Sequence, residues 1–300
     1  AENLTRRGLE VTLVELASHV LPPLDVEMAA IVQGHLDTHG IRVLTEVAAT
    51  AITEEAVILE DGRSLPADLV VMAAGVAPES GLARAAGLEL GTRGGVLVDG
   101  LQRTSAPDVY AVGDVAVKRD AVNGAEVLVP LAQTANRHGR LVADVVLGRR
   151  TVAKPVLGSA IVGVFGLTVA TTGWSERRAR AEGREVRVIH THPSDHAGYY
   201  PGAADMHLKL VVDVDTDAIL GAQGVGGNGV DKRIDVIATA MRGGLSASEL
   251  ADLELTYAPQ FGSAPAQPAW SADAASASVG YEPPPASERA YQEAPREAYQ

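Results

Sequence analysis

The chain has 300 residues, 46% hydrophobic and 21% charged, an ordinary globular balance whose length predicts two or three domains. Lysine and arginine number 25 against 38 acidic residues, and the net charge of -13 disfavours sequence-independent binding to nucleic acid or to an anionic membrane. There is no cysteine, which excludes disulfides, thiolate catalysis and Cys-based zinc sites within these residues, and no apolar run nears the roughly 18 to 20 residues of a membrane helix.

Residues 1–8 (A-E-N-L-T-R-R-G) read as the last turns of a helix stopped by Gly8. A domain seldom begins inside a helix, so the chain is expected to be the carboxyl-terminal part of something longer. The β-branched run 9–16 predicts a buried parallel strand. Asp25 is placed to cap a helix that runs to His39 and ends at Gly40. Residues 41–44 predict another strand, and 47–52 with 56–60 predict antiparallel strands, with Asp61-Gly62 as a turn. The fully apolar run 69–74 predicts a strand ending at Gly75. Helix and strand alternating around an inserted meander indicate an α/β nucleotide-binding domain without its front.

Residues 81–91 predict a short helix, 96–98 and 109–112 short strands, and 131–147 a helix ended by Gly148. The character changes at Lys154. Strands are predicted over 160–172, 186–191, 206–212 and 219–225, and helices over 175–181 and 231–241. Ser246 and Glu249 form a capping-box pattern that opens a last short helix. Paired strands covered by helices indicate an α+β domain. The tail 263–300 is rich in Ala, Pro and Ser without a periodic apolar face, and disorder is expected there.

Residues 104–114 read T-S-A-P-D-V-Y-A-V-G-D. An apolar strand over 108–112 would deliver Gly113 and Asp114 to its carboxyl end, where α/β sheets bind ligands. A glycine admits close backbone approach to a sugar or phosphate, and a carboxylate accepts hydrogen bonds from hydroxyls. Gly-Asp by itself is a plain turn far more often than a ligand site; the eleven-residue string is more specific. It resembles the motif that sets an Asp on the ribityl chain of FAD in the pyridine nucleotide-disulfide oxidoreductase family. Residues 69–78 (L-V-V-M-A-A-G-V-A-P) are similar to the strand and turn, here with Gly75, that close that family's NAD domain. Residues 130–140 (P-L-A-Q-T-A-N-R-H-G-R) are similar to the helix start beside the flavin ring, which implies flavin contacts for Leu131, Ala132 and Thr134. A helix N-terminus offers unpaired N–H groups and a positive dipole to an electron-rich pyrimidine edge.

The resemblance covers residues 1 to about 262. It implies an α/β fold made of remnants of FAD- and NAD-binding Rossmann-like domains followed by an α+β interface domain. The expected divisions are 1–78 for the NAD(P)-binding part, 79–150 for the FAD-binding part, 151–262 for dimerisation and 263–300 for the tail. FAD and NAD(P)H are the implied cofactors, a homodimer the implied assembly, and the cytoplasm the implied compartment; no nucleic acid, membrane or metal is expected.

Glu15 closes the strand 10–15, where an acid in a dinucleotide-binding fold accepts hydrogen bonds from the adenosine ribose and favours NADH over NADPH. A solvent-facing strand-end charge is the other reading. Residues 192–203 (H-P-S-D-H-A-G-Y-Y-P-G-A) with 257–263 (Y-A-P-Q-F-G-S) resemble the coenzyme A-disulfide reductase and NADH oxidase subgroup. By that resemblance Tyr199 and Tyr257 sit near the partner subunit's redox cysteine and the substrate thiol, where a phenol stabilises a thiolate or supplies a proton. Packing at the interface, with wet hydroxyls, is the alternative. His190 and His192 share a strand face, yet only Asp195 stands near them at ligand spacing, so no metal is expected. Trp174 fits packing at a helix entry.

The implied activity passes electrons from NAD(P)H through FAD to a disulfide such as coenzyme A disulfide, with NADH oxidase and persulfide reductase as alternatives inside the family. In the family the redox cysteine and both glycine-rich cofactor motifs precede the region matched here. The expectation is therefore an amino-terminally truncated chain, inactive by itself, and a catalytically inactive dimerisation module is the reading from a different class.

Overall fold

The computed structural model describes residues 1–262; the expectation of disorder over 263–300 lies outside the described residues. The chain enters through one helical turn, α1 (Glu2–Thr5). Gly8, at φ +83°, closes it: its N–H returns to Thr5 O and that of Leu9 to Leu4 O, the paired bonds of a Schellman stop. Strand β1 (Thr12–Val14) runs parallel to β2 (Arg42–Leu44), with helix α2 (Val26–Thr38) crossing between them. The strand is shorter than the predicted run 9–16, and Leu9 and Leu16 at its ends are exposed, because a two-stranded sheet cannot enclose them. Strands β3 (Ala49–Ile52), β4 (Ala56–Leu59) and β5 (Ser64–Pro66) follow as an antiparallel meander. Its Asp61-Gly62 turn is held by Asp61 Oδ1, which accepts the Arg63 N–H at 3.0 Å.

The next stretch departs from expectation. Residues 69–74 form no strand: nothing among the described residues pairs with them, and Leu69, Val71 and Met72 are exposed. Helix α3 (Gly81–Ala85) takes only half of the predicted run 81–91. Residues 96–98 and 109–112 make isolated bridges, Val96 with Leu90 and Ala116 and Tyr110 with Arg103, rather than strands. Asp108, at φ +60°, lies in the left-handed region and breaks the extended run on which the Gly-Asp pair was predicted to ride. A two-residue pair, β6 (Lys118–Arg119) and β7 (Glu126–Val127), precedes α4 (Ala132–Val146), which matches its predicted span and stops at Gly148, φ +73°.

The remainder is one antiparallel sheet of β8 (Ala160–Val164), β9 (Leu167–Gly173), β10 (Val186–Thr191), β11 (Met206–Asp213) and β12 (Ile219–Gly226), in the order β10-β11-β12-β9-β8. Helices α5 (Glu176–Ala181), α6 (Val230–Gly243) and α7 (Ala247–Ala251) cover it, the last opened by the predicted capping box of Ser246 and Glu249. Alternate residues of β11 divide between two interiors. Leu208, Leu210 and Val212 pack with Ile234, Ile237 and Ala240 of α6. Val211 faces the other way, with Trp174, Ala179 and Leu220. On that second side Val169 and Val225 join Leu24, Met28, Val32 and Leu36, so α2 packs directly on the sheet. Burial on both faces explains why β11 and β12 read as near-continuous apolar runs. At the crossing with α6, a Cβ on Gly224 would stand 2.8 Å from Val230 Cγ1, so close helix approach requires glycine there.

Polar bonds fix the same contact. Asp25 is the N-cap residue of α2 but gives its own helix no side-chain hydrogen bond, contrary to expectation. Its carboxylate instead accepts the backbone N–H groups of Glu176 (2.9 Å) and Arg177 (3.1 Å) at the start of α5, and the Gln223 amide at 2.7 Å. Lys209, fully buried, donates to Asp25 (2.9 Å), Glu176 (2.8 Å) and Glu27. Among the described residues no helix is long and apolar enough to cross a membrane.

Candidate functional site

The site begins with a local conformation that only glycine adopts readily. Gly113, at φ +78°, opens a 3-10 turn over Gly113–Val115 and leaves Asp114 exposed. The buried Lys118 ammonium pins this turn by donating to Gly113 O at 2.7 Å and Ala116 O at 2.9 Å. Against it starts α4, whose N-cap is Leu131, a residue with no side-chain acceptor to offer. Thr134 and Ala135 return their N–H groups to Leu131 O at 3.0 and 3.1 Å, and Thr134 is buried. Earlier N–H groups in that first turn have no intrahelical acceptor. A Cβ on Gly113 would stand 3.8 Å from Ala135 Cβ, so turn and helix start are neighbours. The Gly113 turn is thereby brought to the first turns of the helix that Leu131, Ala132 and Thr134 open. The arrangement offers a carboxylate for hydroxyls, a backbone open to close approach, and a helix dipole for an electron-rich ring.

Glu15 lies at the carboxyl end of β1, half-buried, with its N–H bonded to Leu44 O and its Oε1 accepting the Ala17 N–H at 2.8 Å. Gly75 is exposed at φ +88°. No hydrogen bond among the described residues joins either to the Gly113 turn.

Tyr199 and Tyr257 do meet. Their hydroxyls are hydrogen-bonded, and that bond is the main cause that pushes the Tyr257 hydroxyl above its usual value. Ala197 N–H donates to Pro259 O at 3.0 Å and ties the two segments together, while both tyrosines remain exposed. The three histidines nearby do not converge. His190 Nε2 lies 3.1 Å from Glu27 Oε1, and His196 Nδ1 lies 2.9 Å from Asp195. His192 Nδ1, just past the end of β10, is 2.8 Å from Nδ1 of His207 on β11, which was not singled out from sequence. Burial, and for His192 the neighbouring imidazoles, hold both of that pair below the usual histidine value. Trp174 is buried at the entry to α5, its Nε1–H donating to Asp120 at 3.0 Å.

The cluster around Lys209 was also missed. The hydrogen bond from His190, helped by Lys209 and opposed by burial, holds Glu27 at about 2. Burial alone would draw Lys209 down, but its bonds to Glu176, Glu27 and Asp25 prevail and it lies above the usual lysine value. Oxygens of Asp25, Glu27 and Glu176 lie within 4.8 Å of one another, and the Lys209 ammonium bonds all three. A lysine at an interior position of the apolar strand M-H-L-K-L-V-V was the signal available.

Comparison with known proteins bears on these features. Residues 1–139 match the family described as pyridine nucleotide-disulphide oxidoreductase, and residues 159–269 match its dimerisation domain. The chain is 35% identical over 263 residues to an NADH oxidase of Methanocaldococcus jannaschii, covering 86% of this chain and 58% of the relative. It is 31% identical to a coenzyme A disulfide reductase of Staphylococcus aureus, covering 87% of this chain and 59% of that one. Among solved structures, reduced Bacillus anthracis CoADR-RHD superimposes with a TM-score of 0.88 at 44% identity, covering 92% of this chain and 50% of the other. The 300 residues thus span less than two thirds of the relatives they match.

Proposed function

The chain belongs to the pyridine nucleotide-disulphide oxidoreductase family, and from that premise we propose that it serves an FAD-dependent enzyme passing electrons from NAD(P)H to a disulfide, with coenzyme A disulfide as substrate. The observation that carries the reading is the Gly113–Asp114 turn set against the start of α4, a start with no side-chain cap. A glycine at positive φ, an exposed carboxylate and open N–H groups in one place fit a flavin. FAD, when bound, accepts hydride from a nicotinamide and passes electrons onward. In this proposal Asp114 accepts hydrogen bonds from the ribityl hydroxyls, Gly113 admits the ligand close to the backbone, and the segment of Leu131, Ala132 and Thr134 turns its dipole on the flavin pyrimidine. Glu15 receives the adenosine ribose of NADH, with Gly75 in the turn that closes the nucleotide domain.

Residues 1–78, 79–150 and 151–262 are the proposed NAD(P)-binding, FAD-binding and dimerisation parts. A homodimer is supported by the dimerisation-domain match, and the substrate by the name of the S. aureus relative. In this proposal the exposed, adjoining phenols of Tyr199 and Tyr257 stabilise a thiolate by hydrogen bonding or supply a proton. These 300 residues contain no cysteine, so the reacting protein thiol lies outside them in this reading, and alone they are expected to turn over no NADH. A reducing compartment, the cytoplasm, fits that thiol chemistry.

The M. jannaschii relative favours a second reading, reduction of oxygen. The test is NADH consumption by the protein in its full natural length, with coenzyme A disulfide, a persulfide or oxygen supplied one at a time. Fastest turnover with coenzyme A disulfide supports the proposal. Turnover on oxygen or persulfide without disulfide reduction selects the corresponding relative. A colourless dimer without turnover would leave only a dimerisation module.

A further inference from the structure

A cavity of about 130 Å³ lies between the loop around Gln102, strand β6 and the middle of α4. Lys118, Gln102 and His138 line it, and all three are more than nine-tenths buried. Gln102 Oε1 and His138 Nδ1 have no hydrogen-bond partner, an expensive condition for buried polar atoms. Lys118 spends two N–H donors on Gly113 O and Ala116 O, which leaves one of its three. Arg119 and Lys154 add two exposed cations at the mouth. The one carboxylate in the lining, Asp99, accepts the N–H groups of Leu101 and Arg103 at its Oδ1, at 2.8 and 2.9 Å, and Asp114 is the acid whose charge acts on Lys118. No salt bridge among the described residues involves Lys118, Arg119 or Lys154.

Three cations and one carboxylate therefore meet at one cavity in a chain whose net charge is -13, and none of the three cations is in a salt bridge among the described residues. We propose that this cavity binds a tetrahedral oxyanion of the phosphate type, either free or as the phosphate end of a larger metabolite. Lysine and arginine give charge-assisted hydrogen bonds to such an oxygen cluster, stronger than those to water. A hydrogenphosphate also carries one O–H, which the unpartnered Gln102 carbonyl can accept, while the neutral His138 ring donates or accepts at Nδ1 according to its tautomer. The volume exceeds the roughly 30 Å³ that one water occupies in the liquid. Because the Lys118 ammonium also holds the Gly113 turn, an anion beside it is expected to steady that turn.

The experiment titrates the 300-residue chain calorimetrically with inorganic phosphate, and separately with phenyl phosphate, at constant ionic strength against a chloride control. Saturable one-to-one phosphate binding is expected, with affinity at least tenfold weaker in the double variant Arg119→Ala/Lys154→Ala. Both positions are at the exposed mouth, so the variant is expected to fold, which circular dichroism checks. The His138 ring resonances should shift with phosphate along the same isotherm. Equal binding of both ligands assigns the phosphate end of a larger molecule, and binding of phosphate alone assigns the free ion. No saturable phosphate binding, or binding undiminished in the folded double variant, overturns the proposal and leaves a water-filled cavity.

Discussion

Two segments of similar apolar character have opposite fates. Strand β11 (M-H-L-K-L-V-V-D) is paired on both edges, by β10 and β12, and covered on both faces, and it is buried at every position except His207. The run 69–74 (L-V-V-M-A-A) is more apolar, yet it pairs with nothing among the described residues, and Met72 is 71% exposed. Composition therefore does not decide which becomes a strand. A strand's N–H and C=O groups need neighbours, and its side chains need a surface to meet. The buried one even carries a lysine, because Asp25, Glu27 and Glu176 come from other elements to meet it.

The strongest way to break this contrast is to remove that lysine. Lys209→Met leaves three carboxylates around an apolar tip, and removing one partner from a buried ionic group costs about 3 to 5 kcal/mol. The urea midpoint should fall accordingly; an unchanged midpoint would show that α2 is held to the sheet without the charges. Leu210→Ala, next on the same strand but facing α6, tests the apolar side alone and should cost about 2 to 5 kcal/mol. The two positions address opposite faces of one strand, so their ratio measures which face holds β11 more firmly.

Acid sharpens the contrast without mutation. Glu27 is held at about 2 in the folded chain against an ordinary value of 4.5. A depressed carboxylate contributes stability that is fully present above the ordinary value and is lost as pH falls through the folded one. The window is therefore about 4.5 down to about 2. The Glu27 side chain is 43% exposed, so solvent screening trims the effect. Urea midpoints measured across that window should fall less steeply in Glu27→Gln than in the parent chain. Identical slopes would mean that the His190 and Lys209 bonds do not persist in solution.

Much of the sheet was legible because its signals are local. Apolar runs predicted the strands of the second half, except that 160–172 was read as one strand and is the hairpin of β8 and β9 turned at Gly166. Gly40 and Gly148 marked helix ends, and Ser246 with Glu249 announced α7. The losses are mostly long-range. Asp25 was read as a cap for its own helix, whereas its carboxylate serves α5, 151 and 152 residues away. The extended run before Gly113 was broken by the left-handed Asp108, which no periodicity reveals. At the candidate site, motif resemblance named Gly113 and the start of α4 together, and their approach depends on α4 packing against the turn. His207 and Lys209 carried weaker signals, single polar residues in an apolar strand whose partners come from elsewhere.

Two smaller effects complete the comparison. Ser246→Ala removes the side-chain acceptor for the Glu249 N–H and should cost about 1 kcal/mol, a purely local loss inside the well-packed half. Val71→Ala should be nearly silent, within about 0.5 kcal/mol, since an exposed side chain loses little contact on truncation. The silent variant is the more informative of the two. If the run 69–74 is as open in solution as its geometry indicates, shortening Val71 changes neither the urea midpoint nor its slope. A loss above about 1 kcal/mol would belong to a packed residue and would mean that something covers this run. Repeating the measurement over a hundredfold range of protein concentration then separates the causes. A concentration-dependent loss assigns the cover to a second copy of the chain, and a constant loss assigns it to the chain's own packing. In either case the two apolar segments would differ only in which neighbour buries them, and the contrast drawn above would fail.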